Sequence, residues 1–252
     1  MKIKKILLFS GIGVVVLGLL AVIIVALCLD GIVKKAVETV GPRLTQVTIT
    51  LDSIHIGVMS GSAKVKGLVV GNPDGYKTPQ AVSVGLAEVS VDVASALSDK
   101  IIIHTIHVES PEITFEGGLG KNNLFQIRDN LNSLTQSTGP TGTNVQTTAS
   151  GKPVKKLEVD DFLITGAKVH VNLTLLGGQE MTLTLPDIHL QDLGKGDAGL
   201  TPADLTRRVF DAITSATLST VTSSVGNLGK GAGKAATDSM KKISSGLGGF
   251  FK

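Results

Sequence analysis

The chain has 252 residues, room for one large domain or two small ones, with 24 basic and 21 acidic side chains, 3% aromatic residues, no Trp and a single cysteine. So few rings leave almost no stacking platform for bases or sugars, and the charges nearly cancel outside the N-terminal segment, so nucleic acid is not an expected partner. One cysteine, Cys28, excludes an intrachain disulfide, and the fold must rest on packing and hydrogen bonds.

Residues 6–29 carry no charged side chain. As a helix they would run about 36 Å at 1.5 Å per residue, against a hydrocarbon thickness of ~30 Å, so the segment is long enough to span a bilayer with tilt. A cleaved signal peptide has a shorter apolar stretch and a small-residue cleavage site. Here the run ends Leu27-Cys28-Leu29-Asp30, with no A-x-A pattern and no small residue before Cys28. An uncleaved single-pass anchor, with its cytoplasmic stub, is therefore expected within residues 1–30. Lys2, Lys4 and Lys5 before it and Asp30 after it predict a cytoplasmic N-terminus, with the bulk of the chain outside the cytoplasm.

A short helix over 31–40 is expected to stop at Gly41-Pro42. The hydrophobic period then changes to two. Val47, Ile49 and Leu51 share one parity and Ile54, Ile56 and Val58 the other, which predicts a bulge or strand break at Asp52-Ser53. Residues 63–70 read as a strand and 71–76 (GNPDGY) as a turn in which Pro73 fixes φ. Val82, Val84 and Leu86 alternate; after a second phase change so do Val89, Val91 and Val93, and 101–108 and 113–115 continue the meander. Leu124, Ile127, Leu131 and Leu134 at helical spacing predict an amphipathic helix that closes a first β unit, residues 31–132. Residues 133–153, rich in Ser, Thr, Gly, Asn and Gln, read as a flexible linker or long loop.

Strands resume in a second β unit, residues 154–199, at 157–164, 167–175, 181–185 and 188–190, with a hairpin turn at 176–180. Its LEVDDFLITGAKVHV parallels VTITLDSIHIGVMSGSAKVKGL in the first block, which suggests a duplicated unit. Over 200–225, Thr201 as N-cap, Pro202 at the first helical position and Asp204 in the first turn open an amphipathic helix striped by Leu205, Val209, Ile213, Val221 and Val225. Residues 226–252, with five lysines and one acid, read as a flexible cationic tail. Lys241, Lys242, Phe250 and Phe251 are its candidates for contact with a membrane surface. The stretch GNLGKGAGKAAT lacks the first glycine and the Ser or Thr that a phosphate loop requires.

No catalytic constellation emerges. His55, His107, His170 and His189 sit on the polar parity of strands, and His104 follows three isoleucines. Simple alternation puts His104 and His107 on opposite faces, which excludes a shared metal. It likewise points Asp160 and Asp161 apart, so a bulge or turn suits them better than acid–base chemistry. The reading is a non-enzyme with no cofactor and no metal.

The order of a basic N-terminal anchor, VTITLDSIHIG, GSAKVKGLVVGNPDGY, AVSVGLAEVSVDVASAL, IIIHTIHVESPEITFE and NNLFQI resembles the N-terminal part of AsmA-like bacterial envelope proteins, and LEVDDFLITGAKVHV is similar to a recurring unit of that family. The resemblance covers about residues 1–190. It implies a single-pass inner-membrane protein with a β-rich periplasmic region, active in envelope maintenance, whose larger relatives form hydrophobic grooves that carry phospholipid. It carries over no catalytic residue.

The expected architecture is mainly β: a transmembrane helix, then an antiparallel, repeat-like sheet or open groove with one or two amphipathic helices packed on it. The expected function is contact with lipid or a partner through an apolar face, in envelope maintenance or lipid handling; a closed module is the alternative. In the first, part of the apolar sheet face stays bare as a trough, and Val47, Ile49, Leu51, Val82, Val84, Leu86, Val89, Val91, Val93, Val169, Val171 and Leu173 are the candidates for lipid contact. Phospholipid, a protein partner or a second copy of the chain would then meet them. In the other, the face is closed and the protein is a structural or interaction module without lipid, like the anchored late-embryogenesis-type sandwich domains. Nine or ten strands at ~4.8 Å spacing span only about 45 Å, too little to bridge an envelope alone.

Overall fold

The computed structural model describes residues 28–136, 155–173 and 180–247, the side chains of 134–136 and 227–247 excepted. The anchor up to residue 27, most of the 133–153 linker, the hairpin turn, Phe250 and Phe251 lie outside the described residues, as do the side chains of Lys241 and Lys242. Among the described residues no helix is long and apolar enough to cross a membrane.

The protein is mainly β, with a few helices. Among the described residues ten strands join one sheet: β1 (Ile49–Thr50), β2 (Ser53–Gly57), β3 (Ser62–Gly71), β4 (Gln80–Val91), β5 (Lys100–Glu109), β6 (Glu112–Gly117), β7 (Lys156–Thr165), β8 (Lys168–Leu173), β9 (Glu180–Thr184) and β10 (Ile188–Leu193). The long β4 pairs with β6 through Val82 and Ser83 and with β5 from Leu86 onward, and one register runs from Val82 to Ser90 before a bulge shifts it at Val91. Strands β5 and β6 are thus one row, and by the same reasoning so are β7 with β8 and β9 with β10. Strands β1 and β2 both pair with β3, which completes six rows in the order β1/β2, β3, β4, β5/β6, β7/β8, β9/β10.

Each row breaks its alternation at the same level. Continued through the gaps, the registers set Asp52, Gly67, Gly85, Ser110, Gly166 and Pro186 directly opposite one another. At this crease two consecutive residues per row, such as Asp52-Ser53, Glu109-Ser110 and Pro186-Asp187, leave the core together, while Val84 and Ala87, Val108 and Pro111, Ile164 and Ala167, or Leu185 and Ile188 stay buried on either side. The slip keeps a single apolar face above and below the crease. Backbone bonds stitch it: Asp52 N–H donates to the carbonyls of Lys66 and Gly67 at 3.1 and 3.3 Å, Ser110 N–H to Thr165 at 2.8 Å and Leu185 N–H to Ala167 at 2.9 Å.

The crease needs left-handed backbone at Gly67 (φ 62°) and Gly166 (φ 64°), a region open to glycine at little cost. A Cβ on Gly67 would also fall 2.0 Å from Asp52 Oδ2. Gly67→Ala is expected to cost about 1–2 kcal/mol, read as a lowered urea midpoint of the full chain in mild detergent. Gly85→Ala, on the same crease with nothing within 4 Å of its Cβ, serves as control and should leave the midpoint nearly unchanged.

Among the described residues three α-helices accompany the sheet: α1 over 28–45, α2 (Asn123–Gln136) and α3 (Pro202–Leu247). Helix α1 runs on past Gly41-Pro42, where a stop was expected. Gly41 lets it press on β1, a Cβ there being 2.7 Å from Ile49 Cδ1, and the last turn is closed by Gln46 N–H on the Pro42 carbonyl at 2.9 Å and by Thr45 Oγ1 on the Gly41 carbonyl at 3.0 Å. Gln46, at φ 57°, then ends it. Helix α3 likewise extends through Leu247, beyond the Gly226 at which a loose tail was expected. Ala232, Ala235, Ala236 and Met240 are strong helix formers that carry it past the glycines.

Two further expectations are corrected. The sheet is mixed: β5 and β6 pair in parallel with β7 and β8, because the chain crosses back through α2 before starting the next row in the same direction. The two β blocks therefore share one sheet. Nor are the paired segments equivalent: GSAK leads from the β2–β3 turn into β3, whereas TGAK is the crease inside the β7/β8 row.

Candidate functional site

The apolar face is covered. Leu124, Ile127 and Leu131 of α2 and Phe210, Ile213 and Val221 of α3 are buried in one core cluster with Val82, Val84, Ile113, Phe115, Val169, Val171 and Leu173 of the sheet. The two helices touch each other, and Asn130 Nδ2 donates to the Thr45 carbonyl at 2.9 Å, tying α2 to the end of α1. Of the candidates for lipid contact, Val47, Leu51, Val82, Val84, Val169, Val171 and Leu173 are 0 to 7% exposed. Ile49, Leu86, Val89 and Val91 are half-buried and Val93 is exposed. The stripe thus does not form one open surface. On α3, Thr214 and Thr217 are buried at 2% and 0% exposure, and neither hydroxyl has a hydrogen-bond partner among the described residues.

The opposite face is polar. A second slip, at His104-Thr105, Asp160-Asp161 and Gln191-Asp192, is flanked by inward Ile103 and Ile106, Val159 and Phe162, and Leu193 and Leu190. It moves both His104 and His107, and both Asp160 and Asp161, to the polar side, where simple alternation would separate each pair. The carboxylates still do not act together. Asp160 takes His104 Nδ1 at 3.0 Å on one neighbouring strand, and Asp161 takes His189 on the other. His107 meets Thr165 Oγ1 at 3.0 Å, His170 meets Thr182 Oγ1 at 3.2 Å, and His55 Nδ1 lies 3.4 Å from Asp30 Oδ2.

A shallow depression of about 500 Å³ on this face is lined by Lys64, Glu88, Thr105, His107 and Asp161 among others. The hydrogen bond and charge of Glu88 raise the Lys64 amine above its ordinary value, and those of Lys64 lower the Glu88 carboxyl. Both are solvent-facing surface groups, so this is a screened ion pair and not an acid–base device. Among the described residues no three His, Cys, Asp or Glu side chains gather as a metal set.

The most organised polar cluster lies at the other end of the rows, where the β3–β4 loop folds onto β6 and α2. Glu116, 8% exposed, accepts the backbone N–H groups of Lys77 at 2.7 Å and Thr78 at 2.9 Å and also the Thr78 hydroxyl. Asn123, fully buried, donates to Asn72 Oδ1 at 2.7 Å and to the Thr114 carbonyl at 2.8 Å, and accepts Glu116 N–H at 2.9 Å. Asn72 Nδ2 closes the loop on Thr78, and Asn122 Oδ1 caps α2 by accepting Phe125 N–H at 2.9 Å. Burial would raise the Glu116 carboxyl, but the Thr78 hydroxyl, the two backbone N–H groups and the nearby Lys77 charge outweigh it and hold the group below the usual carboxylate range. Burial, and then the Glu116 charge, push the Tyr76 phenol up.

Sequence reasoning missed this cluster. It joins three stretches quoted above separately, GNPDGY, the Glu after EITF, and NNLFQI. The available signal was Asn122-Asn123 just before a helical stripe, a place where Asn caps the helix. The bonds of the cluster pin backbone or tie its side chains to one another, so its chemistry is structural.

Fold and site together define a class: a single mixed β-sheet with much of one face packed under helices and the other lined by paired polar side chains. No protein-family model matches the chain, and no curated protein matches it.

Proposed function

We propose that the protein is a non-enzymatic envelope component: a single-pass bacterial inner-membrane protein with a cytoplasmic N-terminus, which holds a closed, β-rich interaction module on the periplasmic side for envelope maintenance. The uncharged run at 6–29 and its flanking charges support the anchor, and the AsmA-like sequence order supports the setting. The observation that carries the closed reading is the burial of Val169, Val171 and Leu173, at 0 to 1% exposure, beneath the helices. Contact is then left to the polar sheet face, which suits a protein partner or a second copy of the chain.

Lipid handling through the apolar face is the second reading, and the unpaired Thr214 and Thr217 hydroxyls favour it. Each buried unpaired hydroxyl costs about 1–3 kcal/mol, a cost that would be relieved if α3 lifted away.

The test is to purify the full chain in mild detergent, wash it free of bulk lipid and weigh what remains by native mass spectrometry. The closed module is expected to emerge without phospholipid. Near-stoichiometric retained phospholipid would replace it with the lipid-handling reading.

A further inference from the structure

The end of the sheet at which α1 begins carries the most exposed apolar side chains among the described residues. Helix α1 runs antiparallel to the β1/β2 row: Asp30 Oδ1 accepts Ile56 N–H at 2.9 Å, Lys34 Nζ donates to the Asp52 carbonyl at 2.9 Å and Glu38 Oε1 accepts Leu51 N–H at 3.2 Å. These bonds cover an otherwise free sheet edge. They also place the first described turn of α1, residues 28–31, beside Gly57 at that end. Just past Gly57, the β2–β3 turn holds out Met59 at 94% exposure, and the β4–β5 connection holds out Leu97 at 92% and Val93 at 44%. The two protrusions adjoin: Val91 N–H donates to the Gly61 carbonyl at 2.7 Å, and Val93 Cγ2 is 3.0 Å from the position of a Cβ on Gly61.

The Leu97 turn is firmly built. Asp92 Oδ1 accepts Ala94 N–H at 2.8 Å, Ser95 Oγ donates to the Asp92 carbonyl at 2.6 Å and accepts Ile102 N–H at 2.9 Å, and Lys155 Nζ holds the Ala96 carbonyl at 2.6 Å. One exposed Leu is ordinary. Three apolar side chains presented together from two braced turns are a patch of the kind that meets an apolar partner. Asp92, Asp99 and Asp197 share this end with Lys100, Lys155 and Lys156, so net charge does not name the partner. The chain does: the uncharged run stops at Leu29, one residue before the Asp30 that is bonded to β2, and Met59 is only three residues, at most ~10 Å, beyond Ile56.

We propose that Met59, Val93 and Leu97 insert into the headgroup–acyl boundary of the bilayer that residues 6–29 enter, so that the sheet stands on the membrane by this end with its Gly71–Gln80 loop farthest away. The inference rests on reading 6–29 as a membrane anchor, and the test separates the two. Full-length chains carrying Cys28→Ser and one of Met59→Cys, Leu97→Cys or Asp74→Cys are labelled with a small environment-sensitive fluorophore and reconstituted into phosphatidylcholine–phosphatidylglycerol vesicles with or without a doxyl-labelled lipid. Labels at 59 and 97 are expected to be quenched at least threefold more than the label at 74. Carbonate-resistant chains with equal, weak quenching at all three sites overturn the inference and leave the anchor standing. A blue shift at 59 and 97 without lipid quenching overturns it in favour of a second copy of the chain as the occupant. Release of the chain from vesicles by carbonate overturns the anchor, and the inference falls with it.

Discussion

Replacing Phe115 by Ala is expected to lower the unfolding free energy by about 3–5 kcal/mol, the range for removing a fully enclosed phenyl ring. Phe115 is 0% exposed in β6, opposite the equally buried Val171 of β8, and sits in the core cluster with Leu124 and Ile127 of α2. Its neighbours belong to a sheet row and a helix that are fixed by the Asn123 and Glu116 bonds, so the cavity cannot readily collapse. Urea unfolding of the full chain in mild detergent, followed by circular dichroism, measures the loss. The magnitude also bears on function. On a bare groove wall, trimming Phe115 would leave no enclosed void and cost about 1 kcal/mol or less, as exposed substitutions do. A loss that small would reopen the lipid-trough reading, whereas the full loss belongs to the closed module.

How much of this was legible in the sequence follows from which interactions are local. Apolar alternation exposes which residues share a face, and the phase changes at Asp52-Ser53 and between Leu86 and Val89 are visible in the chain itself. What those changes mean is not local. Asp52, Gly67, Gly85, Ser110, Gly166 and Pro186 become one crease only when six rows are set in register, and each alone reads as an ordinary turn or bulge. The second slip, at His104-Thr105 and Asp160-Asp161, put His104 with His107, and Asp160 with Asp161, on the polar side where period-two reasoning parts them. Pattern likewise marks Val169 and Val171 as facing one way but is silent on what covers them, so the expectation of contact through that face had no view of the helices that bury them. Proline at 42 misled because the stop rule weighs the lost N–H and not the packing of Gly41 against Ile49. The Glu116 cluster stayed hidden because its members come from three segments, with Glu116 and Lys77 separated by 39 positions.

That cluster sets the second large effect, and its sign with pH follows from the depressed Glu116 carboxyl. A carboxylate held below its unfolded value near ~4.3 contributes stability that is fully present above that value and is lost as pH falls through the lower, folded one. Glu116→Ala removes the acceptor from two backbone N–H groups and a hydroxyl that are partly buried, and is expected to cost about 3 kcal/mol at neutral pH. Glu116→Gln keeps one acceptor oxygen and should cost about 1–2 kcal/mol. Because other carboxylates titrate in the same range, the informative quantity is the difference between wild type and Glu116→Gln, measured from pH 7 down to about 3. It should be constant above pH ~5 and shrink below ~4, as protonation makes the native side chain resemble the amide. Two curves that run parallel to the lowest pH would mean that the loop is not held by the charged form of Glu116, and that the β3–β4 loop takes its order from Asn72 and Asn123 alone.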